Sequence, residues 1–142
     1  MAPYSHRVRS YELDIYGHVN NAVYMQWLEH GRSQLLQQKG FTYTSITDHW
    51  GVRLVTVATH INFKAQLGLD DHVEIRTTVK KMGKTSVTFD QQIVRIAQGA
   101  SAHDPRLAGE VVAADCETVI CFTDPQMKGS VAIPEKFREL YG

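Results

Sequence analysis

Apolar and polar residues alternate along most of this chain, and one long segment breaks the alternation. Residues 22–39 contain no proline and many helix formers, and Gly40 follows them, so the pattern predicts a helix that ends at this glycine. Apolar residues occur around much of its circumference, which favours a helix wrapped by a sheet. Gly31 in the helix interior costs about 1 kcal/mol relative to alanine. Its presence predicts close packing against another backbone.

The alternating segments predict strands before and after the helix. One strand is expected at residues 4–13, ahead of a turn at residues 14–18. Residues 41–51 are expected to form a loop, and residues 98–109 an exposed hairpin loop. The expected order is one strand, one long helix and four antiparallel strands. The later strands are expected near residues 55–63, 73–79, 87–93 and 110–122, before a short helix or tail at 134–140.

Length and charge restrict the classes of protein to consider. A chain of 142 residues has the size of one ordinary domain, so we expect a single domain over residues 1–142. Its 15 basic and 15 acidic side chains balance, and no long basic block suggests nucleic acid as a partner. No segment approaches the roughly 20 apolar residues that span a bilayer, and the first residues lack the apolar core of a secretory signal. We therefore expect a cytoplasmic protein without a membrane partner.

Cysteine and histidine spacing gives little support to disulfide or metal chemistry. Cys116 and Cys121 lie in one predicted strand, point to opposite faces and are too far apart for a bridge. They are therefore expected to be reduced thiols in the core. The seven histidines show none of the common metal-binding spacings, so no metal and no other cofactor is expected.

The segment with the clearest chemical potential is the turn into the long helix. Asp14 stands directly before a glycine turn, and the helix follows. A helix start presents unpaired N–H groups and partial positive charge, which can hold an oxygen that becomes negative. A nearby carboxylate could then attack a carbonyl carbon or activate water. Aspartate and asparagine also serve as turn and cap residues at helix starts, so both interpretations stay open.

The pattern D-x-Y-G-H-V-N-N-x-x-Y at residues 14–24 and the order of elements resemble a known family. They are similar to the hotdog-fold thioesterases of the 4-hydroxybenzoyl-CoA thioesterase family, and most of all to members acting on fatty acyl-CoA or acyl-ACP, such as the plant acyl-lipid enzymes. The resemblance implies an α+β hotdog fold, in which a five-stranded antiparallel sheet wraps a long central helix. It also implies a homodimer or homotetramer whose subunits pair sheet edges, with active sites at the interface.

The resemblance also assigns roles to individual residues. It places the catalytic acid on Asp14 and the carbonyl-binding backbone N–H groups on Gly17 and His18. Substrate contacts are expected from Asn20, Asn21 and Tyr24. Helix capping would explain the two asparagines equally well.

Two departures from the family pattern affect these assignments. Tyr16 stands where plant acyl-ACP thioesterases have asparagine, while His18 is retained. The His18 side chain could act on substrate, but it could also cap the helix or face solvent. Residues 65–71 replace the proline and glycine that relatives often carry before the third strand, which changes the expected entrance for pantetheine.

A cluster of lysines marks a second candidate for substrate binding. Lys80, Lys81 and Lys84 surround a predicted strand turn. Lysines supply point charges that could hold the phosphates of CoA or phosphopantetheine. An ordinary solvated hairpin is the alternative, because lysines often decorate exposed strand edges.

Together, these features predict an acyl thioesterase. The expected substrate is a hydrophobic acyl-CoA or acyl-ACP, fatty or β-keto fatty, which is hydrolysed to a free acid and a thiol. Asp14 would act as nucleophile or general base, and the sequence does not separate these roles. An aromatic acyl-CoA hydrolase is the nearest alternative, and a non-catalytic acyl-CoA-binding protein is the alternative from another class.

Overall fold

A computed structural model describes residues 3–97 and 109–142 of the chain. Within them, alternating β-branched segments form five strands, and the segments rich in helix formers become helices. In chain order the elements are β1 (Tyr4–Arg7), a 3₁₀ turn (Ser10–Glu12), α1 (Asn21–Gln37), α2 (Tyr43–Trp50), β2 (Arg53–Phe63), β3 (His72–Met82), β4 (Ser86–Ile96), β5 (Val111–Thr123) and α3 (Glu135–Tyr141).

The five strands form one antiparallel sheet in the order β1-β3-β4-β5-β2. Strands β3, β4 and β5 occupy the middle, and each is bonded on both sides. Strand β1 covers only part of β3 on one edge, and β2 pairs with β5 on the other. The expected five-stranded α+β arrangement is confirmed.

Helix α1 packs against the sheet through the glycine in its interior. A Cβ atom on Gly31 would lie 2.6 Å from Cγ2 of Ile75 and 3.0 Å from Oγ1 of Thr77. Close packing at Gly31 is therefore confirmed, but the prediction of another backbone as its neighbour is wrong, because the nearest atoms belong to side chains of the sheet. The burial of α1 is confined to one side, since Met25 keeps 42% of its surface exposed. The buried apolar residues of α1 are Tyr24, Trp27, Leu28, Leu35 and Leu36.

Two of the predicted boundaries are wrong. The first strand stops at Arg7 instead of residue 13, because the chain turns inward and buries the Glu12 side chain. The expected loop at residues 41–51 contains α2 instead. Reciprocal bonds between Thr42 and Ser45 cap this helix, and burial of Ile46 fixes it to the core. Most of the predicted hairpin loop, residues 98–108, lies outside the described residues.

Strand β2 has the alternating sequence of a half-buried strand, but its burial does not follow that alternation. Residues 56–60 are all exposed, and Val57 keeps 60% of its surface open to solvent. A register shift between Thr56 and Ala58 leaves Val57 as a bulge opposite β5. One edge of the sheet therefore presents an exposed strand of 11 residues.

Cys116 is buried, Cys121 is half-buried, and both are free thiols. Burial raises the pKa of the Cys116 thiol, which disfavours the reactive thiolate. None of the helices within residues 3–97 and 109–142 has the length and apolar character needed to cross a membrane.

Candidate active site at the start of helix α1

The turn between Leu13 and Val19 is closed by backbone hydrogen bonds. These two residues form an isolated antiparallel bridge, and the Asp14 N–H donates to the His18 carbonyl at 2.7 Å. Gly17 adopts φ 77°, a conformation that glycine enters without the steric cost other residues meet. The turn thus folds the chain back immediately before α1 and holds Asp14 beside the helix start.

The Asp14 carboxylate is oriented by the backbone of its own turn. Its Oδ1 accepts hydrogen bonds from the Tyr16 N–H at 2.9 Å and the His18 N–H at 3.2 Å. Among the described residues, none donates to Oδ2 of Asp14. The carboxylate is exposed, so its second oxygen is available to a substrate or a water molecule.

The two N–H groups that the resemblance assigns to carbonyl binding already have partners in this state. The Gly17 N–H donates to the Asp14 carbonyl at 3.1 Å, and the His18 N–H donates to the Asp14 carboxylate. A substrate carbonyl could use the His18 N–H only by taking the place of Oδ1 or by sharing the donor with it. Both N–H groups that the resemblance assigns to carbonyl binding are therefore engaged within the turn.

Asn20 caps the helix, whereas Asn21 lies beside a cavity. The Asn20 side chain accepts a hydrogen bond from the Ala22 N–H at 2.9 Å, which satisfies one of the free donors at the helix start. Asn21 is the first residue of α1 and lines the cavity next to Asp14. Of the two predictions for the asparagine pair, capping is the one with a visible contact at Asn20.

A cavity of about 650 Å³ opens beside the Asp14 turn. Four of the predicted site residues line it together: Asp14, His18, Asn21 and Tyr24. Part of the cavity wall comes from the end of β2 and the residues after it. Sequence reasoning linked residues 65–71 to the expected entrance but did not assign Phe63 or Lys64 to the site. These additional lining residues are Phe63, Lys64, Ala65 and Gln66.

Aromatic packing fixes the inner wall of this cavity. The Tyr24 ring meets Phe63 edge-on at 5.3 Å between centroids and Trp27 at 5.6 Å. Burial raises the pKa of Tyr24, so its hydroxyl stays protonated at neutral pH. Phe63, directly before Lys64, could have suggested this wall, but only the position of β2 relative to α1 shows that its ring packs against Tyr24.

A buried carboxylate supports the turn from below. Glu12 is 6% exposed, and its Oε1 is bonded to His6 Nε2 and to the Arg9 N–H, each at 2.8 Å. Its Oε2 accepts from Trp27 Nε1 at 2.9 Å, and its backbone carbonyl accepts from the Asn20 N–H. Glu12 therefore ties β1 and α1 to the base of the Asp14 turn.

We expect Glu12→Gln to lower the free energy of unfolding at pH 7 by about 1–3 kcal/mol, the range for bonds to a charged group. Burial would raise the pKa of Glu12, but bonds from His6, Arg9 and Trp27 outweigh it and hold the pKa below its usual range. A lowered folded-state pKa gives stability that is present above the unfolded-state pKa of about 4.5 and is lost as the pH falls through the folded-state value. Urea unfolding measured from about pH 3 to 7 covers this range of pH. The free energy of unfolding should decrease less on acidification in Glu12→Gln than in the parent. Equal pH profiles for both proteins would contradict the assigned role.

The lysines proposed for phosphate binding lie far from Asp14 within one chain. Lys80 and Lys81 are at the end of β3, whose first residue, His72, follows the segment beside the Asp14 turn. An extended strand of 11 residues covers roughly 35 Å, so these lysines and Lys84 stand at the opposite end of the sheet. Lys80 is also paired with Glu117 at 3.0 Å, and this pairing raises its pKa.

The divergent segment at residues 65–71 packs beside the turn. The Val19 N–H donates to the Leu67 carbonyl at 2.8 Å, and Leu67 is fully buried. An added Cβ on Gly68 would stand 3.9 Å from the Gly17 carbonyl oxygen. This segment is therefore a structural support of the Asp14 turn, and Ala65 and Gln66 at its start line the cavity beside Asp14.

Comparison with known proteins identifies the family. Residues 8–140 match the family model described as the thioesterase-like superfamily. The long-chain acyl-CoA thioesterase FadM of Escherichia coli (strain K12) is 29% identical over 133 residues, covering 94% of this chain and 91% of FadM. A chloroplastic acyl-acyl carrier protein thioesterase of Arabidopsis thaliana is 30% identical over 90 residues, which cover 63% of this chain and 47% of the plant protein.

A solved structure agrees with this assignment at the level of the fold. A mutant 4-hydroxybenzoyl CoA thioesterase in complex with 4-hydroxybenzoyl CoA superposes with a TM-score of 0.84 at 15% identity, covering 98% of this chain and 96% of that chain. The expected hotdog fold is thereby confirmed. Because the family match extends over nearly the whole described fold, including the Asp14 turn, helix α1 and strands β2 to β5, the chain belongs to the thioesterase-like superfamily and is a thioester hydrolase.

Proposed function

We propose that the protein hydrolyses a hydrophobic acyl-CoA, with Asp14 as the group that acts on the thioester. The observation that carries this proposal is the Asp14 carboxylate, whose Oδ1 is held by two backbone N–H groups while Oδ2 accepts from no donor within residues 3–97 and 109–142. It stands at the start of α1 and lines a cavity large enough for part of an acyl chain.

The reaction needs little more than a positioned carboxylate and a polarised carbonyl. Acting as a base, Oδ2 takes a proton from water, and the water oxygen bonds to the thioester carbon. The C–S bond then breaks, and the thiolate leaves with the shared electron pair and receives the proton. Acting as a nucleophile, Oδ2 itself bonds to that carbon, and the C–S bond breaks as the thiolate leaves with the shared electron pair. Water then hydrolyses the resulting anhydride, which releases the free acid and regenerates the Asp14 carboxylate, and the proton set free from water goes to the thiolate. A thiol has a pKa near 8–9, so its thiolate leaves readily without a dedicated acid.

The helix start supplies the complementary charge. The first N–H groups of α1 and the His18 N–H lie at the positive end of the helix dipole, where they favour an oxygen that becomes negative. We propose that the substrate carbonyl oxygen competes with Oδ1 for the His18 N–H. This exchange would free the carboxylate at the moment the carbonyl is polarised.

We expect Gly17→Ala to lower kcat at least tenfold, roughly the cost of a misplaced donor, because the change distorts the φ 77° turn. Gly40→Ala is the matched control, since Gly40 has φ 86° and open space around its Cβ position, as Gly17 has, but lies beyond the far end of α1. Both variants should lose similar stability, measured by thermal unfolding. His18→Ala keeps the backbone N–H and should be milder. If kcat is nearly normal in Gly17→Ala and lost in His18→Ala, the chemistry belongs to the histidine side chain.

The acyl group is proposed to be fatty rather than aromatic. The cavity wall includes Val19, Tyr24, Phe63 and Ala65, and the FadM relative that matches 94% of this chain is a long-chain acyl-CoA thioesterase. The plant relative acts on acyl-ACP but matches over a shorter range, so we place CoA first. Lys81 and Lys84 could hold CoA phosphates only if they come from a second chain.

Assembly through β2 would bring those lysines nearer. Antiparallel pairing of two β2 edges reverses one subunit relative to the other, so the lysine end of one sheet adjoins the Asp14 end of its partner. We therefore propose a dimer built on β2, with each active site completed by both chains.

A hydrolysis panel tests the proposed function. The protein should release free thiol from fatty acyl-CoA substrates faster than from benzoyl-CoA, with acyl-ACP as a parallel series. Faster turnover of benzoyl-CoA would favour the aromatic alternative. Tight acyl-CoA binding without any turnover would show a non-catalytic binding protein.

A further inference from the structure

Arg32 is a buried cation in the middle of α1, and no carboxylate of the described residues forms an ion pair with it. It is 7% exposed, and its Nη1 donates to Gln91 Oε1 at 2.9 Å and to Thr118 Oγ1 at 3.4 Å. Both acceptors are neutral. The Nε atom is sealed from solvent and bonds to no acceptor in residues 3–97 and 109–142. A buried guanidinium without an anion is costly, which indicates that its charge is matched by something outside the described chain.

The neutral neighbours of Arg32 hold it in position but do not balance its charge. The Gln91 amide is held in place, because its Nε2 donates to the Leu28 carbonyl at 2.8 Å and to Thr77 Oγ1 at 2.9 Å. The amide oxygen is therefore committed to Arg32, and the network forms a rigid support across α1, β3, β4 and β5. Such a support positions the guanidinium without neutralising it.

Arg32 lines a second cavity, of about 610 Å³, between α1, α2 and β2. Tyr43 lies beside the guanidinium in this cavity: burial raises the pKa of its hydroxyl, and the Arg32 charge opposes the rise. The hydroxyl is thus a neutral donor next to a cation. The other charged residues of the lining, Glu29, Asp48 and Arg53, are all exposed.

The charge distribution favours a carboxylate over a more highly charged anion. The buried cation lies in surroundings where electrostatic attraction is strong, whereas solvent screens the exposed Glu29 and Asp48. These two carboxylates would still repel a phosphate dianion more than a monoanion. The planar guanidinium fork also matches carboxylate geometry.

We infer that the Arg32 cavity binds a carboxylate, either the distal carboxylate of a dicarboxylyl substrate or the carboxylate of a free fatty acid. Helix α1 connects this cavity to the site at Asp14. Tyr24 lines the first cavity and Arg32 the second, eight residues later on the same helix, a distance of about 12 Å. Strand β2 also borders both, through Phe63 and Thr56. The inference rests on the proposed thioester hydrolysis for the source of the acyl chain, but not for binding of the carboxylate itself.

Direct binding tests the site without any turnover. Titration calorimetry of the intact protein with decanoate, decanamide, sebacate and inorganic phosphate should show tighter binding of the carboxylates than of the amide or phosphate. Arg32→Gln should weaken carboxylate binding about tenfold, in line with loss of a charged hydrogen bond, and leave decanamide binding unchanged. Tyr43→Phe keeps the Gln91 network intact and should weaken carboxylate binding less than Arg32→Gln does. Tyr43→Phe therefore serves as the test if Arg32→Gln does not fold. Arg53→Gln, in the same lining but exposed, is the control that should change little.

Kinetics separate the two sources of the carboxylate. If the ligand is a substrate end, suberyl-, sebacyl- or dodecanedioyl-CoA should have a lower KM than the matched octanoyl-, decanoyl- or dodecanoyl-CoA. The KM of the plain acyl-CoA divided by the KM of its dicarboxylyl counterpart should then exceed one in the parent and fall towards one in Arg32→Gln. If the ligand is the product, free decanoate should inhibit the parent more than Arg32→Gln. Carboxylate binding that ignores both Arg32 and Tyr43 would overturn the inference even if thioesters are hydrolysed. Arg32-dependent carboxylate binding without thioester hydrolysis would support the site and refute the proposed function.

Discussion

Asp14→Asn is expected to lower kcat by about 10² to 10⁴, the range for losing a positioned base or nucleophile, while the fold and substrate binding persist. The structure explains why the variant should fold. Asparagine keeps the oxygen that accepts from the Tyr16 and His18 N–H groups, so the turn retains its two bonds. What disappears is the negative charge on the second oxygen. The rate of thiol release at saturating acyl-CoA measures the effect on kcat, and a separate acyl-CoA binding measurement shows whether substrate binding persists.

The chain offers a close structural control for this substitution. Asp124 forms the same kind of turn, with its Oδ1 accepting from the Gln126 N–H at 2.9 Å and the Lys128 N–H at 3.2 Å. Asp124 lies after β5 and does not line the Asp14 cavity. Oδ2 of Asp124 also accepts from the Gly129 N–H at 3.0 Å. Asp124→Asn should therefore cost its turn at least as much stability as Asp14→Asn costs the Asp14 turn, and should leave kcat near that of the parent. Wild-type-like kcat in a folded Asp14→Asn protein would refute the proposed chemistry.

Val57→Asp is expected to give a folded monomer whose kcat is lower by on the order of 10², because a site shared by two chains would lose its second wall. Val57 is the bulged residue of β2 and is 60% exposed, so the isolated chain tolerates the new charge. Two such charges near a two-fold axis would repel each other and desolvate poorly. Sedimentation and activity measured at the same protein concentrations check both parts.

The control adds the same charge at an exposed position outside β2, where the Met127 sulfur lies 3.7 Å from Nη1 of Arg53, the first residue of β2. Met127 is 53% exposed and lies in the loop after β5, so Met127→Asp should change neither assembly nor kcat. A fully active Val57→Asp monomer would show that one chain holds a complete site. A stable Val57→Asp dimer would show that the subunits pair through another surface.

Local sequence signals were sufficient where neighbours along the chain decide the structure. The prediction of α1 was accurate to within one or two residues because the helix formers, the Asn20 cap and Gly40 each act on residues only a few positions away along the chain. The short helix α2 was missed, although Thr42 and Ser45 carry its cap. Its threonines and aromatic residues have weak helix propensity, and burial of Ile46 against the core decides the outcome.

The candidate site divides in the same way. The motif at residues 14–24 predicted that Asp14, His18, Asn21 and Tyr24 would cluster, since one turn and the first turns of one helix carry them all. It could not predict that the His18 N–H donates to Asp14, because that contact depends on the conformation of the turn. Nor could spacing show that Lys80, Lys81 and Lys84 lie at the other end of the sheet from Asp14.

By itself, the sequence determined the long helix, the succession of strands along the chain, the glycine turn and the carboxylate before it, because short-range propensity and periodicity control these features. Only the tertiary structure decided which side chains share an environment. It buried Glu12 under the turn and Arg32 without an anion, placed Phe63 opposite Tyr24, and left β2 exposed at the sheet edge. The physical reason is strand order: β2 pairs with β5, the last strand of the chain, and such long-range pairing leaves no mark in local periodicity.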